Sequence, residues 1–164
     1  MRIQFEIIRS QGSEHLCYKV DEIYVDVSNP MLSFTEEDEF EILKQEKSLL
    51  EKEYEYNGSK VRLVPQIYEN GWPALVLETV QDGELYTMLS VNLEEMDAIG
   101  LPDRTFIDTN NNPEAMEFLV SNGLATDTGY KRRSGWVEYP MAMLNLPLLY
   151  LHNPQAFQHT NINP

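Results

Sequence analysis

Residues 104–125 read RTFIDTNNNPEAMEFLVSNGLA, an extended apolar segment that turns through three asparagines into a short helix. Asn112 is predicted to cap this helix, because its side-chain oxygen can accept hydrogen bonds from the free amides of the first turn. Asn122 and Gly123 supply the left-handed residue that ends it. The stretch therefore predicts a strand, a turn and a helix over residues 113–122.

The composition limits the classes of protein to consider. The 164 residues are 42% hydrophobic, which is enough for one domain with a real core. A count of 27 acidic and 12 basic residues gives a formal net charge of -15, spread along the whole chain. This charge argues against a nucleic-acid binder that relies on phosphate contacts and against an anionic-membrane binder. Two interpretations remain open: a surface that keeps the protein soluble, and one that attracts basic partners, in one form by imitating nucleic acid.

Cysteine usage and hydropathy bear on the compartment. Cys17 is the single cysteine, which excludes an intramolecular disulfide and a Cys-rich zinc site. Charges interrupt every apolar run near the N terminus, so no signal peptide is predicted, and no stretch approaches the roughly 20 apolar residues that span a bilayer. We therefore expect a cytoplasmic protein with no membrane partner.

Residues 1–52 predict a hairpin followed by a long helix. Apolar and polar residues alternate in two runs, and the second run, 16–27, changes phase at Asp21, which indicates a bulge or a tight turn. Thr35 precedes three acidic residues, the N-terminal signature of a helix. We predict that this helix spans residues 35–52 and lies across one face of a sheet.

An antiparallel meander is predicted over residues 53–93. Three pairs that are typical of hairpin turns separate its β-rich runs: Asn57-Gly58, Asn70-Gly71 and Asp82-Gly83. The predicted fold class is therefore α+β, a mainly antiparallel, twisted sheet with the long helix on one face and the short helix near its end. We expect one domain over residues 1–151, with the sheet region in 53–151, and a flexible tail over 152–164. Sheet edges can pair, so a homodimer is compatible with this fold.

Four pieces of the chain resemble, in their order and spacing, an uncharacterised bacterial family. They are LSVNL at 89–93, FIDTNN at 106–111, EFL at 117–119 with NGL at 122–124, and TG at 128–129 with SG at 134–135 before YP at 139–140. The family is domain of unknown function 4313, met in bacterial and in phage or plasmid-like mobile DNA, and the resemblance covers roughly residues 55–147. It brings no established activity, cofactor or catalytic residue. What it implies is a genomic setting, which favours an accessory or anti-defence role.

The asparagine-rich turn is a candidate polar site. Asp108, Asn110 and Asn112 have the every-second-residue spacing of a calcium loop. Pro113 stands where that loop needs a glycine and Leu119 where it needs a bidentate glutamate, so an EF-hand is excluded. Helix capping and turn closure by the same side chains are the simpler explanation, with a weaker oxygen-ligand cation site as the alternative. We predict no metal and no cofactor.

No catalytic residue is predicted from the nucleophiles and histidines. His15 and Cys17 share a strand face, but no third residue orients them and no glycine elbow or oxyanion loop is near. His152 and His159 lie in the predicted tail without metal-binding spacing.

A basic cluster is the chief exception to the acidic composition. Lys131, Arg132 and Arg133 lie in a predicted glycine-bounded loop over 128–135. Guanidinium groups make bidentate bonds, so the cluster is a candidate to bind a phosphate, a carboxylate or the acidic patch of a partner. A solvated turn, or pairing with the chain's own acids, is the alternative. Trp136 follows and is a candidate member of an exposed aromatic patch, although aromatic residues on strands more often lie in the core.

The leading hypothesis for function combines the charge with the family setting. It is a non-catalytic binding protein whose negative surface engages a basic protein, with an anti-restriction or anti-CRISPR inhibitor as its concrete form. The competing hypothesis is a small enzyme or ligand-binding domain with a pocket built from Asp108, Asn110, Asn111 and Arg132. If these side chains only close turns, that hypothesis loses its basis. A structural subunit of a larger assembly is the third, and it requires a large exposed apolar surface.

Overall fold

The structure, a computed structural model, describes residues 3–44, 48–93 and 101–158. Its first five strands form one antiparallel sheet, the N-terminal sheet, in the spatial order β4-β3-β2-β1-β5. These strands are β1 (Phe5–Ser10), β2 (Ser13–Val20), β3 (Ile23–Asp26), β4 (Ser33–Phe34) and β5 (Glu41–Leu43).

Two further antiparallel sheets and three short helices complete the described part of the chain. The middle sheet has the order β6-β7-β8-β9, and the C-terminal sheet has the order β10-β11-β13-β12. The strands are β6 (Glu53–Tyr56), β7 (Ser59–Ile67), β8 (Pro73–Thr79), β9 (Leu85–Met88), β10 (Ser90–Val91), β11 (Arg104–Ile107), β12 (Ala125–Ser134) and β13 (Val137–Leu144). The helices are α1 (Ala115–Ser121), α2 (Leu146–His152) and α3 (Pro154–Phe157).

Tight turns explain why neighbouring strands pair in sequence order. Asn57 and Gly58 both have positive φ, 49° and 80°, and close a two-residue turn between β6 and β7, as the residue pair predicts. At Asp21 the structure has a tight turn, because Val20 pairs with Ile23. The other two predicted hairpins are present with longer loops.

One hydrophobic core joins all three sheets and the helices. It includes Leu16 of β2, Leu75 of β8, Ile107 of β11, Leu119 of α1 and Leu149 of α2, each at most 2% exposed. Burial of each such side chain contributes about 1.5–3 kcal/mol to stability. The core therefore holds the C-terminal sheet rigidly against the rest of the fold.

Leu89 connects the middle sheet to the C-terminal sheet. It lies between β9 and β10, is fully buried, and its amide donates to the Leu75 carbonyl at 2.8 Å. Its own carbonyl accepts from the Asp108 amide at 2.8 Å. The chain thus bends at Leu89 from one sheet into the other and places the 108–112 turn at the end of β11.

The prediction of an α+β fold with a long helix over 35–52 is wrong: the described chain is nearly all β. The capping chemistry of Thr35 is present, since its hydroxyl accepts from the Glu37 amide at 3.3 Å and its amide donates to Asp38 Oδ2 at 2.8 Å. These bonds close a single turn, after which the chain becomes extended. Residues 45–47 lie outside the described part.

Strand pairing explains why the helix is lost. Ile42 of β5 pairs with Ile8 of β1, and Phe40 packs against Phe34 at a ring-centroid distance of 5.9 Å. Phe40 thereby covers part of the outer side of the N-terminal sheet around Ile8 and Cys17, and the pairing of Ile42 extends the sheet by one strand. Helical spacing in this polar segment offers no comparable burial, so tertiary pairing overrides local propensity.

The predicted short helix is present as α1, but Asn112 does not cap it. The N-cap position is Glu114, without a side-chain capping bond. Asn112 is 7% exposed; its Nδ2 donates to the Met88 carbonyl at 3.1 Å and its Oδ1 accepts from Thr87 Oγ1 at 3.1 Å. The side chain therefore ties the turn to β9.

The predicted flexible tail begins too early. His152 ends α2 and is 2% exposed, and Phe157 of α3 is 1% exposed. Phe157 packs against Tyr150 and Phe5 at ring-centroid distances of 5.4 and 6.5 Å. Residues 152–158 are therefore part of the core, and 159–164 lie outside the described residues. Within the described ranges, no helix has the length and apolar character to cross a membrane.

Candidate functional site

The β12–β13 hairpin extends beyond the C-terminal sheet as a two-stranded arm, defined here as residues 128–140. Residues 104–106 of β11 pair with residues 143–141 of β13, so the pairing between these two strands ends at Met141. From Pro140 outward, β13 pairs with β12 and with no third strand in the ranges that the structure describes. The hairpin therefore projects from a rigid base.

A glycine turn places Trp136 at the tip of the arm. Ser134 pairs with Val137, which leaves Gly135 and Trp136 as a two-residue loop. Gly135 has a φ of 62° at the first central position, as a type II′ turn requires. Trp136 is 97% exposed. An indole in this position adds almost nothing to the core.

A bulge lies at the base of the arm, where a glycine-bounded loop was predicted. Pairing shifts register between Asp127 and Lys131, so that Thr128, Gly129 and Tyr130 lie opposite a shorter stretch of β13. Thr128 Oγ1 donates to the Met141 carbonyl at 2.8 Å, and the Gly129 amide donates to Asp127 Oδ1 at 2.9 Å. The predicted loop is thus part of strand β12. The bulge accommodates the extra residues within the strand and increases its local twist.

The structure brings four predicted binding residues onto the arm: Lys131, Arg132, Arg133 and Trp136. Lys131 and Arg133 are exposed, and Arg132 is half-buried opposite Tyr139. Arg133 Nη2 lies 3.5 Å from Glu138 Oε1, and both side chains are at least half exposed, so this ion pair contributes little. The arm carries three basic residues and one acidic residue.

An apolar surface continues from the arm onto the outer face of the C-terminal sheet, and Met143 is the part of it that sequence reasoning missed. Met143 is 50% exposed, and Tyr130 is 54% exposed with its ring 6.3 Å from that of Phe106. Arg104 lies over the Trp72 ring at 5.5 Å. The period-two alternation of β13 contained the signal, but the face that points outward depends on the register with β11.

In the part of the chain that the structure describes, the polar side chains of the 108–112 turn bond within the turn and to β9. Both carboxylate oxygens of Asp108 accept from Asn111, one from its amide at 3.2 Å and the other from its Nδ2 at 2.9 Å. The Asn112 amide donates to the Asp108 carbonyl at 2.9 Å. Asn110 is exposed. Asp108 and Asn111 thus act in turn closure, which gives the enzyme hypothesis no support.

Asp26 is a polar partner that sequence reasoning missed. His15 Nδ1 donates to Asp26 Oδ2 at 2.9 Å, while Asp26 Oδ1 accepts from the Ser28 amide and hydroxyl, each at 2.8 Å. Asp26 is 5% exposed. Its signal was the Asp-Val-Ser-Asn run that ends a strand, which is typical of an Asx turn.

This pair does not make Cys17 a nucleophile. Burial, reinforced by the charge of Asp26, raises the pKa of the Cys17 thiol to about 12. Nucleophilic cysteines need the thiolate form, so Cys17 is a core residue.

An acidic cleft lies beside His15, where the N-terminal sheet meets the end of β13 and the start of α2. It consists of two adjacent cavities of about 310 and 550 Å³, both lined by His15 and Leu32. Its carboxylates are Glu14, Asp26, Asp38, Glu39 and Asp103. Apolar walls come from leucines and from Phe34. Two of the carboxylates already have a partner, Glu14 in Arg9 at 3.0 Å and Asp26 in His15 at 2.9 Å. Across residues 3–44, 48–93 and 101–158, no group of three His, Cys, Asp or Glu side chains is arranged to hold a metal.

Comparison with known proteins identifies the family. Residues 63–162 match the family described as Domain of unknown function (DUF4313), a range that includes the arm and excludes the N-terminal sheet. No curated protein and no solved structure matches the chain. The family predicted from four short pieces is therefore confirmed, while the mobile-element setting stays a prediction. Since the match covers more than half of the sequence, the chain belongs to the DUF4313 family.

Proposed function

We propose that this protein is a non-catalytic, cytoplasmic binding protein that holds a protein partner through the arm. The observation that carries the proposal is Trp136, 97% exposed at the tip of a hairpin with basic flanks. Tryptophan and arginine are enriched among the residues that dominate binding energy at protein interfaces.

The energetics of the tip favour a binding role over a structural one. An aromatic side chain buries about 150–250 Å² in an interface. At about 25 cal/mol per Å², burial of Trp136 would contribute about 4–6 kcal/mol before the costs of association. Its backbone is already ordered by the β12–β13 pairing, so little further conformational entropy is lost on binding.

The surrounding surface favours a partner that is basic outside the contact with the arm. Outside the arm the chain has 26 acidic and nine basic residues. In its most specific form, the proposal is an inhibitor of a restriction or CRISPR nuclease that covers the enzyme's nucleic-acid-binding surface. A field of this sign accelerates encounter with a basic protein and repels nucleic acid.

Capture from host lysate with matched variants tests the proposal. Tagged wild-type protein is expected to retain a basic partner at low salt and to lose it at high salt. Trp136→Ala should lose the partner, whereas Met31→Ala should keep it, because Met31 is 93% exposed but belongs to the loop between β3 and β4 of the N-terminal sheet. Equal retention by both variants, or capture of no protein by the wild type, would contradict the proposal.

A further inference from the structure

The arm and the acidic cleft of this chain have complementary chemistry. We propose that the arm of one copy docks in the acidic cleft of a second copy. The inference rests on the proposed role of the arm as a binding element, and it names one partner for it.

The arm determines what its partner must offer. Lys131 and Arg133 need carboxylates at the rim of the contact, and Trp136 needs an apolar hollow open to solvent. Pro140 is the last arm residue at the base, so four intervals of about 3.3 Å carry Trp136 roughly 13 Å beyond the sheet. A projection of this length reaches into a cleft, whereas a flat surface would meet only its tip.

The body of the same protein offers such a site. Glu39 and Asp38 line the larger cavity together with Phe34, and Asp103 lines the smaller one together with Leu146. The cavity volumes are about 310 and 550 Å³, so each cavity has room for one indole ring. Phe34 lies in the wall of the larger cavity but is 6% exposed, so it offers an incoming ring only the edge that is not covered by His15 and Phe40.

Local charge decides the contact although the two copies carry the same net charge of -15. At physiological ionic strength charges separated by more than about 8 Å are largely screened. The arm and the cleft carry opposite charges within that distance of the contact. Repulsion between the remaining acidic surfaces then limits affinity without preventing docking.

The first test measures the mass of the purified protein by light scattering over a wide range of concentration. We expect a species heavier than the monomer, and we expect its fraction to increase with protein concentration. Trp136→Ala should weaken its association about thirtyfold, as loss of a central aromatic anchor does. A wild type that stays monomeric throughout, or a Trp136→Ala variant that associates equally well, would overturn the inference.

A charge swap tests the identity of the two surfaces. Lys131→Glu with Arg133→Glu should abolish association, as should Glu39→Lys with Asp103→Lys in the cleft. All four substitutions in one chain should restore it. Association that stays lost in a combined variant with wild-type circular dichroism would refute the pairing.

The matched control is Glu36→Lys with Glu37→Lys. These exposed residues precede Asp38 in the same loop but do not line the cleft. They make the same change in net charge, so the control should associate at least as well as the wild type. If it lost association as the cleft variant does, net charge and not the cleft would be responsible.

The outcomes separate this inference from the proposed function. A monomeric protein that still captures a host partner through Trp136 refutes the self-docking and leaves the proposed function intact. A protein that associates through the arm but captures no host protein supports the self-docking and contradicts the proposed function.

Discussion

Acidification is expected to destabilise the protein through His152. His152 Nδ1 lies 2.8 Å from the Leu148 carbonyl, which can only accept, so Nδ1 carries the proton. Nε2 then accepts from the Tyr54 hydroxyl at 2.6 Å. Burial, the largest cause, lowers the pKa of His152 below its ordinary value of 6.5. The imidazole is therefore held neutral in the fold.

The sign follows from proton binding in the two states. As the pH falls below 6.5, the unfolded chain takes up a proton at this residue before the folded protein does. The free energy of unfolding therefore falls from pH 6.5 down to the lowered folded-state pKa, by at most about 1.4 kcal/mol per pH unit from this residue. Above pH 6.5 the residue makes no pH-dependent contribution.

Urea unfolding, monitored by circular dichroism at about pH 7.5, 6.5 and 5.5, measures this effect. The difference in the free energy of unfolding between the wild type and a His152 variant isolates the contribution of this one imidazole. His152→Gln cannot titrate, so its loss of stability between pH 6.5 and 5.5 should be smaller than that of the wild type. His159→Gln is the control, because it removes another histidine and leaves both His152 and the His15–Asp26 pair in place. Equal pH slopes for the wild type and His152→Gln would refute the reasoning.

Two further predictions concern the core. Phe157→Ala should destabilise the fold by about 3–5 kcal/mol in urea unfolding, because it leaves a cavity beside Tyr150. Gln155→Ala is the control, since Gln155 is exposed and its loss should cost less than about 1 kcal/mol. An equally small effect of Phe157→Ala would show that α3 is not part of the core. Cys17 should resist alkylation by iodoacetamide in the folded protein, because burial keeps its pKa near 12, and should react in urea. Mass spectrometry detects the adduct, and rapid labelling of the folded protein would contradict the buried placement.

Local signals identified part of this fold correctly and misled elsewhere. The Asn57-Gly58 turn was predictable because a type I′ turn needs two residues that tolerate positive φ, and no distant contact is involved. The segment after Thr35 has an equally clear local signature, but its hydrogen bonds end after one turn. Pairing of Ile42 with Ile8 across the sheet decided its structure, and such pairing has no local signal.

The candidate site divides in the same way. The cation cluster and Trp136 were recognisable as residue types, because charge and aromatic character belong to the sequence. Their presentation on a projecting arm depends on the register between β11 and β13 and on the bulge after Asp127. The acidic cleft was not predictable, since its carboxylates come from segments as distant as Glu14 and Asp103.

The sequence by itself determined the family, the charge of the surface and the positions of the tightest turns, because each depends on residue identity or on neighbours along the chain. Only the tertiary structure decided that residues 41–43 form a strand, that Asn112 ties its turn to β9, and that Phe157 belongs to the core. The physical reason is that burial and strand pairing are gained between distant residues. Where they compete with local propensity of a few tenths of a kcal/mol per residue, they prevail.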